Sequence, residues 1–134
     1  MITGGCLCGA ARYEAGGEPL FVLQCHCRVC QRVSGTGHVP VMGVAKALFK
    51  LTGVTTGYAV IADSGTTVTR HFCPICGSPV FATFENNPDA IGISVGSTDD
   101  PAAYAPQAIL YTRSRWGWDC ATPTLPEFEA MPPG

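Results

Sequence analysis

Seven of the eight cysteines fall into three tight groups, Cys6-Leu7-Cys8, Cys25-His26-Cys27-Arg28-Val29-Cys30 and Cys73-Pro74-Ile75-Cys76. No other feature of the chain limits its fold as much. Thiolates one to four residues apart on a single segment make half of a tetrahedral zinc site, and two such halves close it. Each outer pair is followed by glycine, Gly9 after Cys8 and Gly77 after Cys76. Glycine takes the positive φ that a tight turn around a sulfur requires.

The even cysteine count also admits a disulfide framework. Against it, Met1-Ile2-Thr3-Gly4-Gly5 has neither the basic start nor the apolar run of a secretory leader. The expected location is therefore the cytoplasm, where clustered thiols act as metal ligands or redox groups. A redox pair at Cys73 and Cys76 alone would leave the other clustered cysteines unexplained.

At 134 residues the chain is predicted to be one domain, residues 1–134. Charged residues make up only 13%, against about 25% in ordinary soluble domains, which leaves little solvated helix surface. Eight basic and ten acidic residues give a net charge of −2, so the electrostatic footprint of a nucleic-acid or anionic-membrane binder is missing. No apolar run approaches the ~20 residues that span a bilayer.

Sixteen glycines and eleven prolines break the chain into short pieces. Eight runs read as strands: 10–14, 20–24, 38–44, 58–62, 66–72, 80–84, 91–95 and 109–112, each rich in β-branched or aromatic residues and mostly bounded by turn formers. The expected class is all-β. Helical pieces are confined to a turn through Cys27, Cys30 and Val33 and to Lys46–Phe49, both too short to persist without tertiary support. Residues 101–106 read as a loop. The tail from Cys120 to Gly134, with four prolines, reads as extended coil across the body.

Cys6, Cys8, Cys73 and Cys76 together complete a closed four-sulfur site of structural type. Cys25, Cys27 and Cys30 then form a second site with three protein ligands and one open position, the arrangement of a catalytic zinc. Spacing also allows Cys27 and Cys30 to close a site with Cys73 and Cys76, which leaves Cys6, Cys8 and Cys25 over. Cys120 stands apart and reads as a small, partly buried residue. Arg28, Arg32 and Arg70 lie near the ligands in sequence, placed to hold a substrate carboxylate or to balance thiolate charge. His26 sits between two ligands, so its ring is expected to point away from a metal they share. His38, with Ser34–Gly37, follows the triple closely enough to line a pocket as an acid–base group or simply to enter a strand. Tyr111, Trp116 and Trp118 are candidates for an apolar wall.

The blocks Gly5-Cys6-Leu7-Cys8-Gly9, Cys25-His26-Cys27-Arg28-Val29-Cys30 and Arg70-His71-Phe72-Cys73-Pro74-Ile75-Cys76-Gly77, with Leu125-Pro126-Glu127-Phe128 near the end, resemble the glutathione-dependent formaldehyde-activating enzymes. The resemblance implies several coiled antiparallel β-sheets, a fold shared with the methionine-R-sulfoxide reductases. It also implies a structural zinc on Cys6, Cys8, Cys73 and Cys76 and a reactive zinc on Cys25, Cys27 and Cys30. In one respect the chain departs from the family, which often carries a histidine in the segment Pro106–Tyr111; here no histidine follows His71. The function expected from the resemblance is a zinc-dependent carbon–sulfur lyase acting on glutathione, or a similar small thiol, with formaldehyde or another small aldehyde. Two other readings stay open: a zinc-stabilised binding module without chemistry, and a methionine sulfoxide reductase that uses Cys120.

Overall fold

The computed structural model describes residues 1–120 and 124–133. Among the described residues ten strands make two sheets: β1 (Ile2–Gly5), β2 (Arg12–Ala15), β3 (Phe21–Cys25), β4 (Val39–Ala45), β5 (Phe49–Thr52), β6 (Thr56–Ile61), β7 (Thr67–Phe72), β8 (Pro79–Phe84), β9 (Ala90–Ser94) and β10 (Ala108–Leu110). The smaller sheet runs β1-β2-β5 and the larger β10-β3-β4-β9-β8-β7-β6. One helix, α1 (Arg28–Ser34), interrupts the β3–β4 connection. The mainly-β expectation holds. The arrangement differs in that most strands join one seven-stranded sheet, and β10 pairs with β3 in parallel while every other named pairing is antiparallel.

Buried side chains of the large sheet, Val22, Met42, Val44, Ile91 and Ile93, form one core with Ile2, Tyr13 and Ala15 of the small one. Phe49 bridges the two: its ring lies 5.8 Å from that of Tyr13 and 5.2 Å from that of Phe81. The run Val39–Ala45 is apolar at both odd and even positions, the pattern of a strand kept from water on both faces.

Each of the eight expected strands is present, its ends shifted by at most two residues. Two strands carried too weak a signal. β1 contains two glycines, and Gly4 is needed because a Cβ there would lie 2.3 Å from the Tyr13 hydroxyl. β5 begins at Phe49, which pairs with Ala15, so the expected helical piece ends one residue sooner, as a single 3₁₀ turn at Lys46–Leu48. The expected loop at 101–106 holds a similar turn at Pro101–Ala103. In the tail, residues 121–123 and 134 lie outside the described residues, and 124–133 are exposed turns and coil.

Candidate metal centres and the adjoining cavity

Two matching turns build the first sulfur cluster. After β1, Gly9 N–H donates to Cys6 O (3.2 Å) and Cys6 N–H to Ala11 O (3.0 Å); after β7, Gly77 N–H donates to Cys73 O (2.8 Å) and Cys73 N–H to Ser78 O (2.9 Å). Gly9 and Gly77 take φ of 81° and 76°, and nothing crowds either one. Their conformation, not space, is what calls for glycine. Leu7 N–H donates to the Ser78 hydroxyl and ties one turn to the other.

The four sulfurs converge, each within 4.8 Å of the others. Cys6 and Cys8 Sγ are 3.6 Å apart and Cys8 and Cys73 Sγ 3.7 Å, close to the edge of about 3.8 Å of a tetrahedron with metal–sulfur bonds of about 2.3 Å. A disulfide would need about 2.05 Å, and all seven clustered cysteines are free thiols. Polar donors favour ionised sulfur at Cys6 and Cys76, whereas at Cys8 the Ala10 N–H is outweighed by desolvation and the neighbouring thiols, which push the thiol up to about 11. Ser78, through its hydroxyl and its N–H, brings the Cys76 thiol down to about 5, and Ala11 N–H, 3.3 Å from Cys6 Sγ, lowers Cys6.

The second cluster comes from the β3–α1 junction. Cys25 ends β3, Cys27 is the N-cap of α1, and Cys30 lies in the first turn, where its N–H donates to Cys27 Sγ at 3.3 Å. The three sulfurs also lie within 4.8 Å of one another, and among the described residues the set has no fourth donor. Cys25 and Cys30 share a proton: donation from Cys30 brings Cys25 down to about 6, and the same contact pushes Cys30 up. The Arg70 guanidinium reaches the cluster, with Nη2 3.9 Å from Cys30 Sγ, while its Nη1 is buried without a partner among the described residues. Both donor sets therefore fit thiophilic metal ions and are consistent with zinc. The four-plus-three division is the one the fold brings together.

A third group of side chains lies beside the triple. His26 is 2% exposed, so its ring lies in the interior and not at the surface, and it groups with His38 and Asp119 and not with the three sulfurs. It stacks on His38 at 4.7 Å. His38 Nδ1 is 2.5 Å from Asp119 Oδ2, and His26 Nδ1 is 3.4 Å from the same oxygen, too long for a full hydrogen bond. Burial, and then the neighbouring His38, lower the pKa of His26. Asp119 reaches this place because Gly37 has no side chain, since a Cβ there would lie 2.4 Å from its carboxyl carbon.

Gln31 holds the segment that delivers Asp119. Its amide donates to His26 O and Ser114 O, both at 2.9 Å, and its Oε1 accepts from Trp116 Nε1 at 2.9 Å. Replacing buried Gln31 with leucine strands these partners, at roughly 1–3 kcal/mol per buried group left unpaired. With three partners stranded and only the His26 bond fully buried, the expected loss is about 3 kcal/mol or more of unfolding free energy, read as a lower denaturant midpoint together with a red shift in tryptophan emission. Neither Gln31 nor Asp119 carried a sequence signal. A glutamine in a short helix and an acid in a Gly/Trp-rich segment declare no partners until the chain is folded.

The other candidates separate. Arg28 stacks over the Trp116 ring at 5.6 Å, and Arg32 is exposed, so of the three arginines Arg70 alone touches the sulfurs. Cys120 is exposed, not partly buried, and lies in neither sulfur cluster.

A cavity of about 660 Å³ opens beside the triple, with Cys25, Cys27, Cys30, Arg70 and Tyr111 on its wall. Trp116 and Trp118 do not line it. Tyr111 has φ of 58° and is the one residue other than glycine with positive φ among the described residues, a conformation that costs on the order of 1–3 kcal/mol and collects at ligand sites.

A mainly-β fold that gathers four cysteine sulfurs at one place and three beside a cavity defines a class of proteins whose thiolates could hold metal ions. Over residues 1–114 the chain matches the family described as glutathione-dependent formaldehyde-activating enzyme, and it belongs to that family. It is also similar to a Rhodobacter sphaeroides protein whose crystal structure came from a structural-genomics programme, with a TM-score of 0.61 and 21% identity over 80% of this chain and 98% of that one. At that identity the likeness speaks for the fold. Among the described residues no helix is long and apolar enough to cross a membrane.

Proposed function

We propose that residues 1–134 form one catalytic domain, a zinc-dependent carbon–sulfur lyase of the S-(hydroxymethyl)glutathione synthase kind. It joins a small thiol such as glutathione to formaldehyde or another small aldehyde, and by reversal releases them. Cys6, Cys8, Cys73 and Cys76 would hold a structural zinc, and Cys25, Cys27 and Cys30 the reactive one. The observation that carries this reading is the cavity that meets three converging sulfurs, a donor set one short of a closed tetrahedron. Family membership supports formaldehyde and glutathione as the reactants.

In the reaction the substrate sulfur adds to the aldehyde carbon. A carbon–sulfur bond forms, the carbonyl π bond breaks, and the sulfur's proton ends on the new hydroxyl oxygen, with no net redox change. Zinc on the three sulfurs would supply Lewis acidity, which stabilises a substrate thiolate and polarises a carbonyl. Arg70 places positive charge beside the cluster, 3.9 Å from Cys30 Sγ, where it helps hold Cys25 in its thiolate form. The free thiols call for a reducing compartment such as the cytoplasm, and a net charge of −2 suits small-molecule partners better than nucleic acid. Purified, metal-loaded protein is expected to accelerate formaldehyde loss in the presence of thiol above the spontaneous rate. The absence of acceleration across a series of thiols and aldehydes would overturn the proposal.

A further inference from the structure

The large sheet has two apolar faces, and packing accounts for only one. Val22 of β3, Met42 and Val44 of β4 and Ile91 and Ile93 of β9 face the core. The alternate positions, Phe21 and Leu23 of β3, Val41 of β4, Val60 of β6 and Phe84 of β8, line the cavity, and all are half-buried. An antiparallel sheet with one face in water ordinarily carries polar residues on that face. Here the face beside the reactive sulfurs stays apolar across four strands.

The same face is hollowed by two glycines. A Cβ at Gly43 would lie 2.3 Å from the Phe21 ring, and one at Gly92 2.7 Å from the Phe84 ring. Both rings therefore lie down on bare backbone and form a floor, so the volume above them stays open. Charge is scarce on this wall: histidine aside, its charged side chains among the described residues are Asp63 and Arg70. Asp63 already faces Arg113 at 3.7 Å, and Arg70 is turned towards Cys30.

We infer that the thiol accepted beside Cys25, Cys27 and Cys30 has an apolar body, aliphatic or aryl, and that this protein binds it in preference to glutathione. The inference deepens the lyase reading and rests on it for the fate of the sulfur. Glutathione carries two carboxylates and an ammonium group. In this cavity at most one carboxylate could find a guanidinium, and the second would meet only neutral hydroxyl and amide groups such as Ser64, Thr66, Asn86 and Asn87, which replace its water less well than an opposite charge would. An apolar body loses nothing polar on entry, and burial of its surface over Phe21, Leu23 and Phe84 favours binding. The reaction is unchanged: the apolar thiol's sulfur adds to the aldehyde carbon and its proton ends on oxygen.

The test uses metal-loaded, full-length protein. Affinities for 2-phenylethanethiol, 1-propanethiol and glutathione are measured by titration calorimetry under reducing conditions, and formaldehyde loss is followed with each thiol. The expected result is tenfold or tighter binding of 2-phenylethanethiol over glutathione, with 1-propanethiol between. Val60→Asp is expected to remove most of that preference while leaving the far-UV circular dichroism and metal content unchanged. Should Val60→Asp not fold, Leu23→Thr replaces it with the same expectation. Glutathione binding as tightly as 2-phenylethanethiol, or a preference unmoved by the wall variants, overturns the inference and leaves the lyase reading intact. Tight binding of the apolar thiol with no acceleration of formaldehyde loss by any thiol does the reverse, removing the lyase reading while the ligand class of the cavity stands.

Discussion

Replacing Cys8 with serine is expected to abolish cooperative thermal unfolding near neutral pH, and Cys73→Ser to do the same. The two variants reach this result by different routes. Cys73 is fully buried in the common core, so its loss removes packing as well as a ligand. Cys8 is exposed, so its replacement removes little packing and would act chiefly through the metal that the four sulfurs could hold. The four sulfurs join the turn after β1, in the small sheet, to the turn between β7 and β8, in the large one. A closed tetrathiolate site is worth on the order of 10 kcal/mol of folding free energy, set against a total stability of about 5–15 kcal/mol. Acid should act in the same direction. Cys76 is held at about 5 by Ser78, against about 8.5 for an ordinary thiol, so between these values the unfolded chain binds more protons than the native one. The stability this difference confers is complete above the unfolded value and is lost as pH falls through about 5. Circular dichroism melts and metal content per chain give the measurement. A Cys8→Ser protein that melts like wild type after exhaustive chelation would show that the cluster does not hold the fold.

Much of this was legible in the chain because the cysteine groups are local. A three-residue and a four-residue clip, Cys6–Cys8 and Cys73–Cys76, each announce a metal turn, and the glycine after each announces the backbone it needs. The strands were legible where β-branched residues alternate or run together, and illegible at β1 and β5, whose partners supply what Ile2-Thr3-Gly4-Gly5 and Phe49-Lys50-Leu51-Thr52 lack. What could not be read were contacts between parts far apart in sequence: Gln31 with Ser114 and Trp116, and His38 with Asp119. The second apolar face did leave a trace. Phe21, Val22 and Leu23 are consecutive, as are Val41 and Met42, and an unbroken apolar run in a sheet means that both faces avoid water. The run by itself does not say what lies against the second face; the fold shows that a cavity does.

Cys27→Ser is the substitution that best separates fold from chemistry. Cys27 holds two positions at once, a sulfur in the open cluster and the N-cap of α1. Serine is among the preferred N-cap residues, so its hydroxyl can accept from Cys30 N–H as the sulfur does, and α1 should persist. The soft ligand is lost. With two sulfurs remaining, the second metal should leave, taking the content from about two ions per chain to about one while the melting temperature changes little. If Lewis acidity there supplies several kcal/mol of barrier lowering, at about 1.4 kcal/mol per factor of ten, the thiol-dependent loss of formaldehyde should fall by about 10³-fold or more. Cys120→Ser, at an exposed position outside both clusters, should leave metal content and rate unchanged, which also separates the lyase from a sulfoxide reductase that would depend on that thiol. A Cys27→Ser protein that loses one metal and keeps its rate within tenfold would move the chemistry away from the triple. The open cluster would then be a second scaffold site of a binding protein.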